Sequence, residues 1–333
     1  MVNKALEFFL SLASHQLVGL LHTHPFFAPG VRSGGWSNIF AQTAENAAGF
    51  PMKISNYSLN YSSLLAAGKM DIPGFLSLCR ELDLEGASLH LQNLTRTDSD
   101  YLKQIRRVYL DSGLSVSMFT VTTNFGLPES LHAAEFSKAQ EALRVAELLG
   151  APLLRVFAGS PPAEAERLKA FDRAARAVRS VCEEAARAGI AVGLQNHNHG
   201  ALCRTGDDVV AFVRKVDHTN LTFVLDTGQF AGSRGASGEA PAELRNADFM
   251  ESIRRTAPLA RYVRVKFYNP RGDGSEPFID YDKVLDILRG VHYPGFIDIV
   301  YEPGKGTPGP GEDVGTAVPR IVGFLRSKLR GQA

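Results

Sequence analysis

From about residue 52 the sequence alternates, eight times over, between a short β-rich run and a longer segment with helical spacing of its apolar residues. The runs are "MKISNYSL", "GASLHLQ", "SVSMFTVT", "PLLRVFAG", "IAVGLQNH", "LTFVLDTG", "YVRVKFYN" and "FIDIVYEPG". Between them lie segments such as "SDYLKQIRRVYLDSG" and "AEAERLKAFDRAARAVRSVCEEAARAG", the latter Ala- and Arg-rich and ending at Gly189. Eight such pairs over roughly 280 residues match the size of a (β/α)8 barrel. The competing α/β architecture, a doubly wound open sheet, usually shows a glycine-rich phosphate turn after its first strand. "NYSLNYSSLLAAGK" is not such a turn. The expected architecture is therefore a single-domain (β/α)8 TIM barrel over residues 51–333, preceded by an N-terminal extension over residues 1–50. The segment "NPRGDGSEP" after the seventh run is too short to divide domains and reads as a mobile loop over the barrel mouth.

Composition narrows the function classes. A hydrophobic content of 44% with 21% charged residues is that of a soluble globular protein. The formal net charge of +1, without a long basic run, gives no nucleic-acid footprint. Cys79, Cys182 and Cys203 are odd in number and widely spaced, which makes neither a disulfide framework nor a zinc knuckle and fits a reducing, cytoplasmic compartment. No apolar run approaches the roughly 20 residues of a membrane span. "ALEFFLSLASHQLVGLL" near the N-terminus is interrupted by Glu7 and His15, so a surface helix is expected ahead of an export signal to the periplasm. A homo-oligomer is compatible with all of this.

In a barrel of this kind the active site lies at the C-terminal ends of the strands. The first run ends in Asn56, Tyr57 and Asn60, the second in His90 and Gln92, the third in Thr122 and Asn124, and the fourth in Arg155 and Phe157. The fifth gives Gln195 and His197, two residues apart and so on one face; the sixth gives Asp226 and Gln229. The seventh gives Arg264 and Lys266, again on one face, and the eighth gives Glu302. Acids, bases and amides far apart in sequence thus converge on one rim. Each has a plainer reading as well. His199 fits a hydrogen-bonding loop residue, Arg155 a brace across the core to an acid, Lys266 a buried ion-pair partner, and Asp226 a cap on backbone amides.

"GLQNHNHG", "FVLDTGQF", "YVRVKFY" followed by "IDYDKVLDIL", and "GFIDIVYEPG" together resemble the sugar phosphate isomerase/epimerase superfamily, the xylose-isomerase-like TIM barrels, from about Pro51 onwards. The resemblance implies a divalent metal (Mn²⁺, Mg²⁺ or Zn²⁺) held by a carboxylate after strand 5, an Asp after strand 6, a His on strand 7 and a Glu after strand 8. Asp226 and Glu302 match two of these positions. Gln195 stands in place of the first carboxylate, Arg264 in place of the His, and Gln229 where an Asp-x-x-His pattern has its His. Fewer ligand charges mean a weaker site for an oxygen-liganded ion. His197 or His199 could add an imidazole, or the Arg264 guanidinium could itself take the place of the metal between the carboxylates.

The resulting expectation is an isomerase- or epimerase-like enzyme. Its substrate would be a small, sugar-like polyhydroxylated carbonyl compound, attacked by proton abstraction α to the carbonyl with assistance from a metal. Asp226, Glu302 and Gln195 would hold the metal. Lys266, Arg264 and His197 would serve as base or stabilise the enediolate. Asn56, Tyr57, His90, Asn124 and Arg155 would read the substrate. A lyase or dehydratase on the same scaffold, and a non-catalytic sugar- or polyol-binding barrel with a decayed metal site, are the rival readings.

Overall fold

The structure is a computed structural model that describes residues 52–304 and 311–330. The expected extension over residues 1–50 lies outside the described residues. Eight parallel strands close into a barrel in sequence order: β1 (Lys53–Tyr57), β2 (Gly86–His90), β3 (Ser115–Thr120), β4 (Leu153–Val156), β5 (Ala191–Gln195), β6 (Leu221–Asp226), β7 (Ala260–Phe267) and β8 (Phe296–Tyr301). Closure is made by β1, which pairs with both β2 and β8. Each strand is followed by a helix: α1 (Ile72–Glu81), α2 (Ser99–Ser112), α3 (His132–Leu149), α4 (Arg167–Arg187), α5 (Gly206–Val216), α6 (Phe249–Thr256), α7 (Tyr281–Gly290) and α8 (Val314–Arg330). Among the described residues, no helix is long and apolar enough to cross a membrane.

The helices start where short polar side chains can accept from the free amides of a first turn. Asp71 caps α1 through Gly74 N, Asp98 caps α2 through Tyr101 N, and Asp280 caps α7 through Lys283 N. Thr205 and Asp208 form a reciprocal capping box on α5. In α4 the buried residues Ala170, Ala174, Val178, Val181, Cys182 and Ala185 recur at helical spacing and turn one stripe toward the strands. The same helix sends Arg179 to the carbonyls of Val216 and Asp217, which are left without intrahelical donors at the end of α5.

Most of the apolar core lies between the barrel and its ring of helices. A second, small cluster, Met118, Leu153, Val224 and Tyr262, plugs the interior near the N-terminal ends of the strands, with Phe296 packed against it. Above that plug the barrel interior turns polar. The loop after β7 is not a cover for the mouth. The Glu276 carboxylate accepts from the amides of Tyr268, Asn269 and Phe278, which folds the loop on itself, and the loop gives no residue to the central cavity.

Candidate active site

Side chains alternate along a strand, so every second residue of β7 enters the barrel: Tyr262, then Arg264, then Lys266 toward the mouth. These three positions mark three levels. At the lowest, the Tyr262 hydroxyl lies 2.9 Å from Ser55 Oγ and 2.8 Å from Ser117 Oγ. Ser55 and Ser88 both donate to the buried carboxylate of Asp298, at 2.7 and 2.8 Å. Burial raises the Asp298 pKa, while Arg264, Ser55, Ser88 and Tyr262 act against that rise.

At the middle level the Arg264 guanidinium lies 3.9 Å from Asp298, donates to Gln195 Oε1 at 3.0 Å and sits 4.0 Å above the Tyr57 ring. Burial works against its charge, but Tyr57, Asp226 and Asp298 more than offset this and its pKa is raised. Gln195 passes the contact upward by donating to Asp226 Oδ2 at 2.9 Å. Arg155 lies at the side of this level. It donates to the Tyr57 hydroxyl and the Val121 carbonyl, both at 3.0 Å, and its guanidinium is 4.3 Å from the Phe157 ring. Burial and the neighbouring Arg264 pull the Arg155 pKa down to about 10.

At the top, Lys266 Nζ lies 3.0 Å from Glu302 Oε1 and 3.5 Å from Asp226 Oδ2. Asp226 is fixed from behind: Asn196 bonds both its amide and its carbonyl, and Gly228 N donates to Oδ1. Gly228 must be a glycine, because a Cβ there would lie 2.5 Å from Lys266 Cγ. The "DTG" turn therefore sets the acid and leaves room for the lysine beside it.

A cavity of about 370 Å³ opens above these groups, lined among others by His90, Asn124, Arg155, Gln195, His197, Arg264, Lys266 and Glu302. That is within the size range of small-molecule sites. The His90 imidazole is neutral: burial first, then Arg155 and Arg264, lower its pKa to about 3. Its Nδ1 accepts from Gln92 N, so Nε2 carries the proton toward Thr122 Oγ1, 3.2 Å away. The Asn124 amide oxygen accepts from Ser160 N at 2.9 Å. The His197 ring packs on Phe157 with centroids 4.5 Å apart. His199 does not line the cavity; its ring bridges Gly238 O and Gly232 N, a loop-holding role.

Three of the expected site residues do not line the cavity. Asn56, out of phase with Ser55 and Tyr57, spends its amide on Tyr57 N, Asn60 and the Tyr61 hydroxyl. Tyr57 is a platform under Arg264 and an acceptor for Arg155. Asp226 is fully buried beneath Lys266 and Gln195. Asp298 is the residue that reading strand ends misses. It lies four residues before Glu302, which directly follows β8, and so in the same inward phase, a signal available in "DIVYE".

The donor set does not fit a divalent ion. Between Asp226 and Glu302, where a shared cation would sit, lies the Lys266 ammonium. The carbonyl of Gln195, the neutral ligand the resemblance suggested, is turned to a guanidinium. Both Asp226 oxygens accept from N–H donors. An added ion would face the repulsion of two cations in a low-dielectric interior. Among the described residues, no group of three or more His, Cys, Asp or Glu is placed to hold a metal. Arg264, expected as the alternative bridge between the two acids, is instead drawn down to Gln195 and Asp298, and Lys266 takes the bridging place.

The chain is 25% identical over 177 residues to a human protein provisionally named hydroxypyruvate isomerase, covering 49% of this chain and 58% of that one. The chain thus spans little more than half the length of this curated relative. The fold is shared with an L-ribulose 3-epimerase (TM-score 0.65, 18% identity, 84% of this chain and 95% of that one). It is shared also with a D-allulose 3-epimerase from Methylomonas sp. (0.65, 15%, 84% and 98%) and the probable 3-DHS dehydratase from Bacillus anthracis (0.61, 17%, 83% and 99%). The sequence profile of the xylose isomerase-like TIM barrel matches residues 76–323, and with the closed eight-stranded barrel this places the chain in the xylose isomerase-like TIM barrel family.

Proposed function

We propose that this barrel is an isomerase- or epimerase-like enzyme that removes a proton α to the carbonyl of a small polyhydroxylated compound, using its own cations where a metal would otherwise serve. The observation that carries this is the Lys266 ammonium held between Asp226 and Glu302 at the cavity wall, with Arg264 two residues below it. An enediolate forms when the C–H pair becomes the new C=C bond and the carbonyl pair moves onto oxygen. Fixed positive charge beside that oxygen, on side chains that are themselves almost wholly buried, stabilises the developing anion with little reorganisation. Lys266 and Arg264 supply it. Paired with two carboxylates, Lys266 acts on the oxygen and not as the base. Glu302, the carboxylate that lines the cavity, takes the proton. His197, two residues past the end of β5 at a different part of the rim, returns one to the neighbouring carbon or to the opposite face.

The test is solvent-deuterium exchange into a panel of ketoses and hydroxyketones, followed by NMR, with metal-stripped and Mn²⁺-supplemented protein. Exchange is expected at equal rates in both, and Glu302→Gln should lower it by about 10²–10⁴-fold. No exchange under either condition would leave a non-catalytic binding barrel. A rate that rises tenfold with Mn²⁺ would return the metal to the site.

A further inference from the structure

Three buried cations reach the cavity, and they are not alike. Arg264 faces Asp298, and Lys266 faces Asp226 and Glu302. Arg155 is 2% exposed, yet no Asp or Glu among the described residues forms an ion pair with it. Its terminal nitrogens each make one hydrogen bond, to the Val121 carbonyl and the Tyr57 hydroxyl, and its buried Nε, like that of Arg264, has no hydrogen-bond partner; unlike Arg264, it has no acid beside it. Five N–H donors in a rigid fork are thus only partly used. The core brace to an acid that the sequence allows is not what forms. A buried charge with no carboxylate in ion-pair contact is costly; Asp226 favours it only from beyond that distance, and contact with the Phe157 ring offsets only part of the cost. Even pulled down by burial, Arg155 stays protonated at neutral pH.

The acids around the cavity are already engaged: Asp226 and Glu302 lie against Lys266 and Asp298 lies against Arg264, so of the three cations Arg155 reaches the cavity with no carboxylate in ion-pair contact, and His90 is neutral. A neutral sugar would leave the Arg155 charge unanswered. We propose that Arg155 is an oxyanion subsite and that the substrate is a carbonyl compound bearing a carboxylate, with its reacting carbons directed toward Lys266 and Glu302. This rests on the enediolate chemistry proposed for the same cavity. A planar carboxylate matches a guanidinium fork through paired, charge-assisted bonds. A phosphate ester carries the same kind of oxygen, so the experiment must separate the two.

Three matched compounds do so: a 3-hydroxy-2-oxo acid, the neutral hydroxyketone with a hydroxymethyl group in place of the carboxylate, and the phosphate monoester of that ketone. For each, kcat/KM is read from deuterium exchange, and binding of oxamate, an unreactive carboxylate, is followed by calorimetry. The acid should be preferred over the neutral ketone by at least tenfold. Arg155→Gln should reduce that ratio, and oxamate affinity, by at least tenfold, with Arg155→Lys in between. If Arg155→Gln does not fold, the wild-type preference and Arg155→Lys still decide. Equal handling of acid and neutral ketone with no oxamate binding would overturn the subsite while leaving the proposed chemistry standing. Preference for the phosphate ester over both would overturn the carboxylate assignment. Oxamate binding that depends on Arg155, with no exchange in any compound, would support the subsite and remove the enzymatic reading.

Discussion

Two clusters of buried charge share the barrel interior, and their difference separates structure from function. At the floor, Asp298 is surrounded by groups that answer it: two serine hydroxyls donate to it and Arg264 lies beside it. Tyr262 and Ser117 extend the network, and of these residues only Arg264 reaches the cavity. At the mouth, Lys266 is similarly enclosed by acids, but Glu302 is 21% exposed and Arg155 keeps unused donors. A polar cluster that satisfies itself holds strands together. One that satisfies itself only in part, next to an open space, is placed to complete its bonds with a ligand.

The largest effect should come from breaking the floor. Asp298→Ala strands two hydroxyls and weakens the anchoring of Arg264, and should lower stability in urea titration by about 3–5 kcal/mol, as for removal of one partner of a buried ion pair. A change below about 1 kcal/mol would mean that the floor is no tighter than the mouth.

A smaller loss is expected at the mouth. Lys266→Met leaves Asp226 and Glu302 facing each other, but water reaches Glu302, so about 2–3 kcal/mol should be lost, with part recovered in Lys266→Met/Asp226→Asn. If the double variant is no more stable than the single one, the three groups are not coupled as the distances imply.

The smallest effect sharpens the comparison through pH. His90 is held neutral, its pKa lowered from an unfolded value near 6.5 to about 3 in the folded protein. Between those values the unfolded chain binds the extra proton, so this contribution is complete above pH 6.5 and is lost as pH falls toward 3. By pH 5 it should amount to about 2 kcal/mol. His90→Gln should flatten the acid side of a plot of Tm against pH by that amount. An unchanged acid limb would show that His90 is reached by water and not by the field of Arg155 and Arg264.

Much of the scaffold is legible in the sequence because it follows from local rules. Eight apolar runs with helical segments between them specify strands and crossovers. Reading strand ends reaches the wall of the cavity: His90, Asn124, Arg155, Gln195, His197, Arg264, Lys266 and Glu302 all line it. Asn56 ends a run but is out of phase with the inward residues. Asp298 sits below the end of its strand, beneath the cavity, where a reading of strand ends does not reach.

By itself, the sequence determined which side of a strand each residue occupies, since that depends only on alternation within the strand. It put Arg264 and Lys266 on one face, and Asp226 and Glu302 on the same rim. Which cation meets which acid was decided by tertiary structure. Pairing between strands sets Arg264 level with both Asp226 and Asp298, and Lys266 level with Val300. Gln195 and the Tyr57 ring hold the short fork of Arg264 low, while Lys266, one step nearer the mouth, lies between Asp226 and Glu302. Depth in a barrel is set by stagger between neighbouring strands, a relation among segments far apart in the chain that no local pattern encodes.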